Sequence, residues 1–224
     1  MPAFHPRPDS LPEEIAVFPL TGALLPPEGR LPLNIFEGRY LNMVQDCLGA
    51  GRYLGMIQAD GSAAAAPPQP PPLYRTGCLG RIASFAETED GRLLITLVGV
   101  IRFHVAQELP LHRGYRRVRA RYENWLHDLD LGMPQPPIGR ATLTAALRPY
   151  FAHHGIEVNW DAIDGVPDRL LVSTLAMVCP FEPSEKQALL EASLPEERAD
   201  ILLTLLRMGV QLGGNAGSGP RRPS

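Results

Sequence analysis

Lysine occurs once in this chain, as Lys186 in Ser-Glu-Lys-Gln. A phosphate-cradling loop needs glycines, a lysine and a Ser or Thr in close succession, because its amides and ammonium neutralise phosphate oxygens. No such glycines accompany Lys186. A Ser–Lys hydrolase needs a lysine desolvated enough to act as a base, and Lys186 falls in the first turn of a capped helix, where it is expected in water. Neither nucleotide hydrolysis nor Ser–Lys peptidase chemistry is expected, and the G-x-S-x-G elbow of a serine hydrolase is absent. Cys47, Cys78 and Cys179 are far apart and odd in number, so neither a disulfide framework nor a Cys-x-x-Cys metal knuckle is expected.

Two histidine groupings remain. His153 and His154 are adjacent on a helical stretch, where neighbours point about 100° apart and share an ion poorly. Positive side chains at a helix end are the simpler account. His127, Asp128 and Asp130 in His-Asp-Leu-Asp-Leu-Gly carry the imidazole and oxygens that suit a divalent ion. Without a partner cluster, a solvated loop between subdomains is preferred. The expectation is no catalytic residue, no metal, no cofactor and no enzymatic activity.

The stretch Arg-Gly-Tyr-Arg-Arg-Val-Arg-Ala-Arg-Tyr-Glu is the sharper polar signal. On a strand, Arg117, Arg119 and Arg121 share one face, with Val118, Ala120 and Tyr122 on the other. Such a ridge can grip phosphates, carboxylates or an acidic partner. The plainer reading, preferred here, is the solvated face of an antiparallel sheet.

These residues need elements to position them. The chain has 224 residues, 45% hydrophobic and 20% charged, with net charge −3, ordinary globular values with no global pull toward nucleic acid or anionic membrane. Its apolar runs fall short of the ~18 residues of a membrane span, and its start lacks the apolar core of a secretory signal. A thiol-reduced, cytoplasmic setting is expected. Residues 1–12 read as a flexible lead. Residues 13–123 alternate like short strands, with Asp90-Gly91 as a hairpin turn and Gly99 as a bend or bulge, and suggest a small barrel or highly curved sheet. Within them, 61–72 is an Ala/Pro-rich loop containing a Pro67–Pro70 P-x-x-P match. Residues 124–212 read as a helical bundle, and 213–224 as a disordered tail. Pro149 is expected to bend or end one helix, and Pro167 to open another that buries Leu170, Leu171, Leu175 and Val178. Capping boxes Ser184–Gln187 and Ser193–Glu196 open the last two helices. The final one carries a stripe of Leu202, Leu205, Leu206 and Met208.

The densest local pattern is Val-Phe-Pro-Leu-Thr-Gly-Ala-Leu-Leu-Pro-Pro-Glu-Gly-Arg-Leu-Pro-Leu-Asn-Ile-Phe-Glu-Gly-Arg-Tyr. Its prolines suit edge strands and corners. A helix follows, carrying Tyr40, Met43, Val44 and Cys47 inward and stopping at Gly49. Glu37 at its start would satisfy free amides, and Arg39 would pair with another carboxylate. Phe36, Glu37, Arg39 and Tyr40 are taken as the candidate partner-binding residues. The competing reading makes Phe36 and Tyr40 core and leaves Glu37 and Arg39 to fix a strand–helix corner.

This opening pattern closely resembles the N-terminal substrate-binding domain of ATP-dependent Lon proteases, found also in standalone bacterial Lon-domain proteins. Gly-Cys-Leu-Gly-Arg-Ile through the Gly99, Arg102, Phe103 segment resembles that family's paired strands, and Glu-Lys-Gln-Ala-Leu-Leu-Glu its closing helices. The resemblance runs from about Ile15 to Leu212. It implies an α+β fold, a PUA-like curved β domain followed by a helical bundle, and recognition of flexible polypeptide or of a protein partner such as a separate protease or chaperone. In that family the ATPase and peptidase lie downstream, so no catalytic residue transfers. Because PUA-like folds also occur in RNA-modifying proteins, an RNA-associated adaptor using the arginine ridge is the alternative.

Overall fold

A computed structural model describes residues 6–61, 70–131 and 139–215. Most of the Ala/Pro-rich loop, including all of the P-x-x-P match but Pro70, and the end of the tail lie outside these residues. The chain runs β1 (Glu14–Pro19), β2 (Arg30–Ile35), α1 (Gly38–Gly49), β3 (Tyr53–Ile57), β4 (Thr76–Glu87), β5 (Leu93–His112) and β6 (Tyr115–Arg121). A 3-10 segment, Glu123–Leu129, leads to α2 (Arg140–His153), α3 (Trp160–Asp164), α4 (Asp168–Val178), α5 (Pro183–Glu191) and α6 (Pro195–Asn215).

The fold is α+β, with six strands in one strongly curved sheet ordered β2-β5-β4-β3-β1-β6. All pairings are antiparallel except β1 with β3. Curvature comes from β5. Its first part pairs with β2 and β4, and its last part, from His104, returns to β6. The two segments read separately around Gly99 are thus one bent strand. The β4–β5 turn has Gly91 at φ +79°, and the β5–β6 turn has Arg113 and Gly114 at +46° and +89°, the two positive values that a tight hairpin of this hand requires. The Arg113 turn holds α1 in place. Its guanidinium pairs with Asp46 and donates to the Asn42 side-chain oxygen at 2.9 Å, while the Tyr115 hydroxyl donates to Asp46 at 2.9 Å.

Two cores form. Leu93, Ile95 and Leu97 of β5 pack with Met43, Val44, Leu147, Leu202 and Leu206 on the helical side. Beyond Gly99, Ile101, Phe103 and Val105 join Val17, Leu79, Val118 and Trp125 in the second core. The lead is fastened to this second core, since Leu11 packs against it and the Tyr122 hydroxyl donates to the Pro12 carbonyl at 2.7 Å.

Helix α1 buries Tyr40, Met43, Val44 and Cys47, the stripe its spacing predicts. The later helices differ in detail. α2 continues for one more turn past Pro149 to His153, held by the burial of Tyr150 and Phe151 beyond the proline. Val178 and Met208 are exposed. α4 buries Leu171, Val172, Leu175 and Ala176 and ends at Val178, whereas α6 turns its Ala199, Leu202 and Leu206 face to the core. The expected boxes are displaced. Glu182 and Glu185 close the α5 box, and Glu197 rather than Glu196 accepts from the Ser193 amide, at 2.7 Å.

The three cysteines are buried and unpaired. Burial raises the Cys47 and Cys179 thiols to about 12, and pushes Cys78 up further. The thiolate is the reacting form, so all three stay protonated at pH 8. Native protein should give no fast reaction with Ellman's reagent at that pH, and three equivalents once unfolded. Rapid native labelling would contradict the packing.

Candidate functional site

The chemistry-bearing residues are dispersed into structural roles. Lys186 is 8% exposed rather than in water. Because α5 begins at Pro183, not after Ser184, Lys186 faces the Gly22 loop, and its Nζ donates to the Gly22 and Met177 carbonyls at 2.8 and 3.2 Å. Burial lowers its pKa, yet its partners are carbonyls, and no hydroxyl is bonded to it that it could activate. Gln187, read as a cap, instead reaches across to the sheet. It accepts from Gln58 at 3.1 Å and donates to the Thr76 carbonyl at 3.0 Å and to Glu191 at 2.7 Å.

The His-Asp-Leu-Asp segment is the end of a 3-10 turn, exposed at His127 and Asp130 but buried at Leu129 and at the Asp128 side chain. Asp128 is buried and takes three hydrogen bonds from Arg102: its amide at 3.0 Å, Nε at 2.8 Å and Nη2 at 2.7 Å. Arg102, almost wholly buried, also donates through Nη1 to the Leu190 carbonyl at 3.1 Å and to that of Ala192, and its guanidinium stacks 3.9 Å from the Trp125 ring. His127 Nε2 lies 3.1 Å from both Arg102 Nη2 and the Ser193 carbonyl. A neutral ring nitrogen accepts from the first or donates to the second, not both. Sheet, 3-10 segment and the end of α5 are therefore latched by one cation. The family-like Gly99, Arg102, Phe103 segment is where the sequence held this clue, an arginine inside an apolar run. Its carboxylate partner could not be read from spacing. Among the described residues, no group of three or more His, Cys, Asp or Glu is placed to hold a metal ion.

The four proposed partner-binding residues divide. Tyr40 is core, packed edge-on against Phe18 with ring centroids 4.4 Å apart. Glu37 is the N-cap by position but accepts no capping bond. Its carboxylate turns to Arg39 instead, 2.8 Å away on the surface, and Arg39 in turn stacks over Tyr40 at 4.6 Å. An exposed pair of this kind contributes at most about 1 kcal/mol. Phe36, just past β2, is 63% exposed, where one reading had it buried.

Phe36 lies beside the β4–β5 hairpin. Arg92 of the β4–β5 turn lies over its ring at 5.9 Å. Phe85 and Leu94, each 47% exposed, stand on that hairpin. Two open depressions, of about 430 and 220 Å³, share Phe85 as a wall, one reaching Pro32–Asn34 of β2 and the other Leu41 and Leu48 of α1. β2 ends the sheet and pairs only with β5 among the described strands, so main-chain groups are offered on its other side. Pro32 removes one amide from that edge.

The arginine ridge keeps its expected alternation, with Val118 and Ala120 buried. It is not a free cationic surface. Glu14 stands 3.0 Å from Arg119 and 3.8 Å from Arg117, and neighbouring Arg116 is held by Glu108 at 2.7 Å.

A curved sheet backed by helices defines an α+β domain of the Lon N-terminal type. The chain belongs to the ATP-dependent protease La (LON) substrate-binding domain family, whose model matches residues 14–208. It is similar to the Lon N-terminal domain protein from Xanthomonas campestris (TM-score 0.61, 23% identity, 85% of this chain and 97% of that one). It is also similar to the N-terminal domain of Mycobacterium avium complex Lon protease (TM-score 0.55, 13% identity, 86% and 97%). A curated relative, the Lon protease of Elusimicrobium minutum (strain Pei191), is 21% identical over 216 residues, 92% of this chain. The chain spans 25% of that relative's length. Among the described residues no helix is long and apolar enough to cross a membrane.

Proposed function

We propose that this chain recognises unfolded or flexible polypeptide, holding apolar side chains against Phe36, Phe85 and Leu94 and main chain against the open edge of β2. The observation that carries the reading is three exposed apolar side chains near the open β2 edge: Phe36 just past the strand, and Phe85 and Leu94 on opposite faces of the adjoining β4–β5 hairpin. Contact there combines the two ingredients of strand addition, hydrogen bonds from the main chain and shallow depressions for side chains. Such binding is weak and sequence-tolerant, because ordering the guest offsets much of the contact energy. Membership of a substrate-binding family supports it. The chain's part is recognition rather than chemistry, a reading supported by the carbonyl-bound Lys186 and the buried, protonated thiols.

The test is fluorescence anisotropy with a labelled, C-terminally amidated apolar peptide. Phe36→Ser combined with Phe85→Ser should weaken binding about tenfold or more, the scale of two lost apolar anchors, with an unchanged melting temperature. Equal affinity in wild type and variant would remove this surface from the function. RNA recognition through the ridge has less support, since Glu14 already pairs with Arg117 and Arg119.

A further inference from the structure

A second feature lies away from the Phe36 margin, in a cleft of about 70 Å³ between the 3-10 segment, α4 and the start of α6. Two buried arginines line it, Arg102 and Arg198. They differ in one respect. Every nitrogen of the Arg102 guanidinium is in hydrogen-bond contact. Arg198, 8% exposed, donates only through Nε, to the Leu189 carbonyl at 2.9 Å, and no described group takes its two terminal nitrogens. Both terminal nitrogens keep some solvent access on the cleft lining, so up to four N–H donors are left open to a ligand acceptor.

The charge is undercompensated as well. Burial, and then the like charge of Arg102, lower the Arg198 pKa to about 10. Asp128, the carboxylate that most offsets this, is already committed to Arg102. The other carboxylates on the lining, Glu28 and Asp130, are each engaged in contacts of their own.

We propose that this cleft is a carboxylate-binding site, in which the terminal nitrogens of Arg198 grip both oxygens of the ligand. The planar fork of a guanidinium matches a carboxylate in two parallel bonds. A doubly charged phosphate suits the site less, because Asp128, Asp130 and Glu28 surround it. A volume of about 70 Å³ accepts a carboxylate and the first atoms behind it, so the rest of the ligand extends beyond the cleft. Two sources carry this chemistry, the C-terminus of a polypeptide and a small free acid. Assigning the chain end rests on the polypeptide reading above; assigning a carboxylate does not.

Isothermal titration of the folded chain at low ionic strength tests it with three probes: N-acetyl-Ala-Ala as the free acid, the same dipeptide as the amide, and sodium acetate. The free acid should bind saturably and the amide at least about tenfold more weakly. Arg198→Met should bind neither. Arg198→Lys, which keeps a cation but loses the fork, should fall about tenfold, and serves if the methionine variant fails to fold. Acetate binding much more weakly than the dipeptide acid supports the chain-end source; equal binding keeps the carboxylate site but overturns that source. No saturable heat with either acid, or equal heats for acid and amide, overturns the site. Because the Phe36 surface is read with an amidated peptide, the two proposals fail separately.

Discussion

Asp128→Ala is expected to destabilise the protein by about 3–5 kcal/mol, the usual cost of stranding one partner of a buried ion pair. The reason lies in what remains. Arg102 would keep its bonds to the Leu190 and Ala192 carbonyls but lose the two from its side chain to Asp128. Its own amide would lose an acceptor too. Burial prevents water from replacing them freely, and Trp125 stacked at 3.9 Å limits how far the guanidinium can swing. The double change Arg102→Met, Asp128→Leu should recover a large part of the loss, because it removes both charges and leaves apolar volume. Urea denaturation of wild type, single and double variants reads this directly. A single variant within about 1 kcal/mol of wild type would mean that the latch contributes little.

Gly99→Ala should be nearly as damaging, for a steric reason. A Cβ at residue 99 would stand 2.0 Å from the Pro26 carbonyl oxygen and 2.8 Å from its carbon. Both are backbone atoms, so no rotamer change relieves the clash. The backbones are held together there, with the Gly99 amide donating to Gly29 and the Glu28 amide to Gly99, each at 2.9 Å. Separating them would break both bonds and disturb the bend where β5 passes from one core to the other. Overpacking typically costs about 1–3 kcal/mol, and more where the neighbours are rigid. A loss above about 3 kcal/mol is expected, measured as a shift in denaturation midpoint. Near-wild-type stability would show that the Pro26–Gly29 segment can move aside.

How much of this was legible from sequence depends on the reach of each interaction. The α1 stripe needed only helical spacing, and Asp90-Gly91 only turn chemistry. The inverted burial of Lys186 came from two competing cap patterns a few residues apart. Glu182 with Glu185 satisfied the helix start, and Gln187 was drawn to Gln58 and Thr76, partners more than a hundred residues away. Starting the helix elsewhere rotates every later residue by about 100° each. Val178 and Met208 fitted the apolar period but sit where their helices pass beyond the core. Phe36 was undecidable locally, since a residue leaving an edge strand can turn either way. Of the candidate surface, Phe36 was named, whereas Phe85 and Leu94 reach it only through the β4–β5 hairpin. Nothing in the spacing ties Arg198 to the cleft shared with Arg102.

The length of β5 has a kinetic consequence. One strand of 20 residues supplies hydrogen-bonding partners to β2, β4 and β6. Two of these are close in sequence; β2 is dozens of residues earlier. A slip by a single position would turn all three alignments inside out at once, so the sheet has effectively one registration decision to make. Closing the distant β2 contact requires a long loop to be tethered before any reward arrives, which slows barrier crossing in chains of high contact order. Newly made molecules should therefore dwell with the β4–β5 ribbon formed and the β2 margin unplaced, transiently resembling the unfolded clients that the margin is proposed to hold.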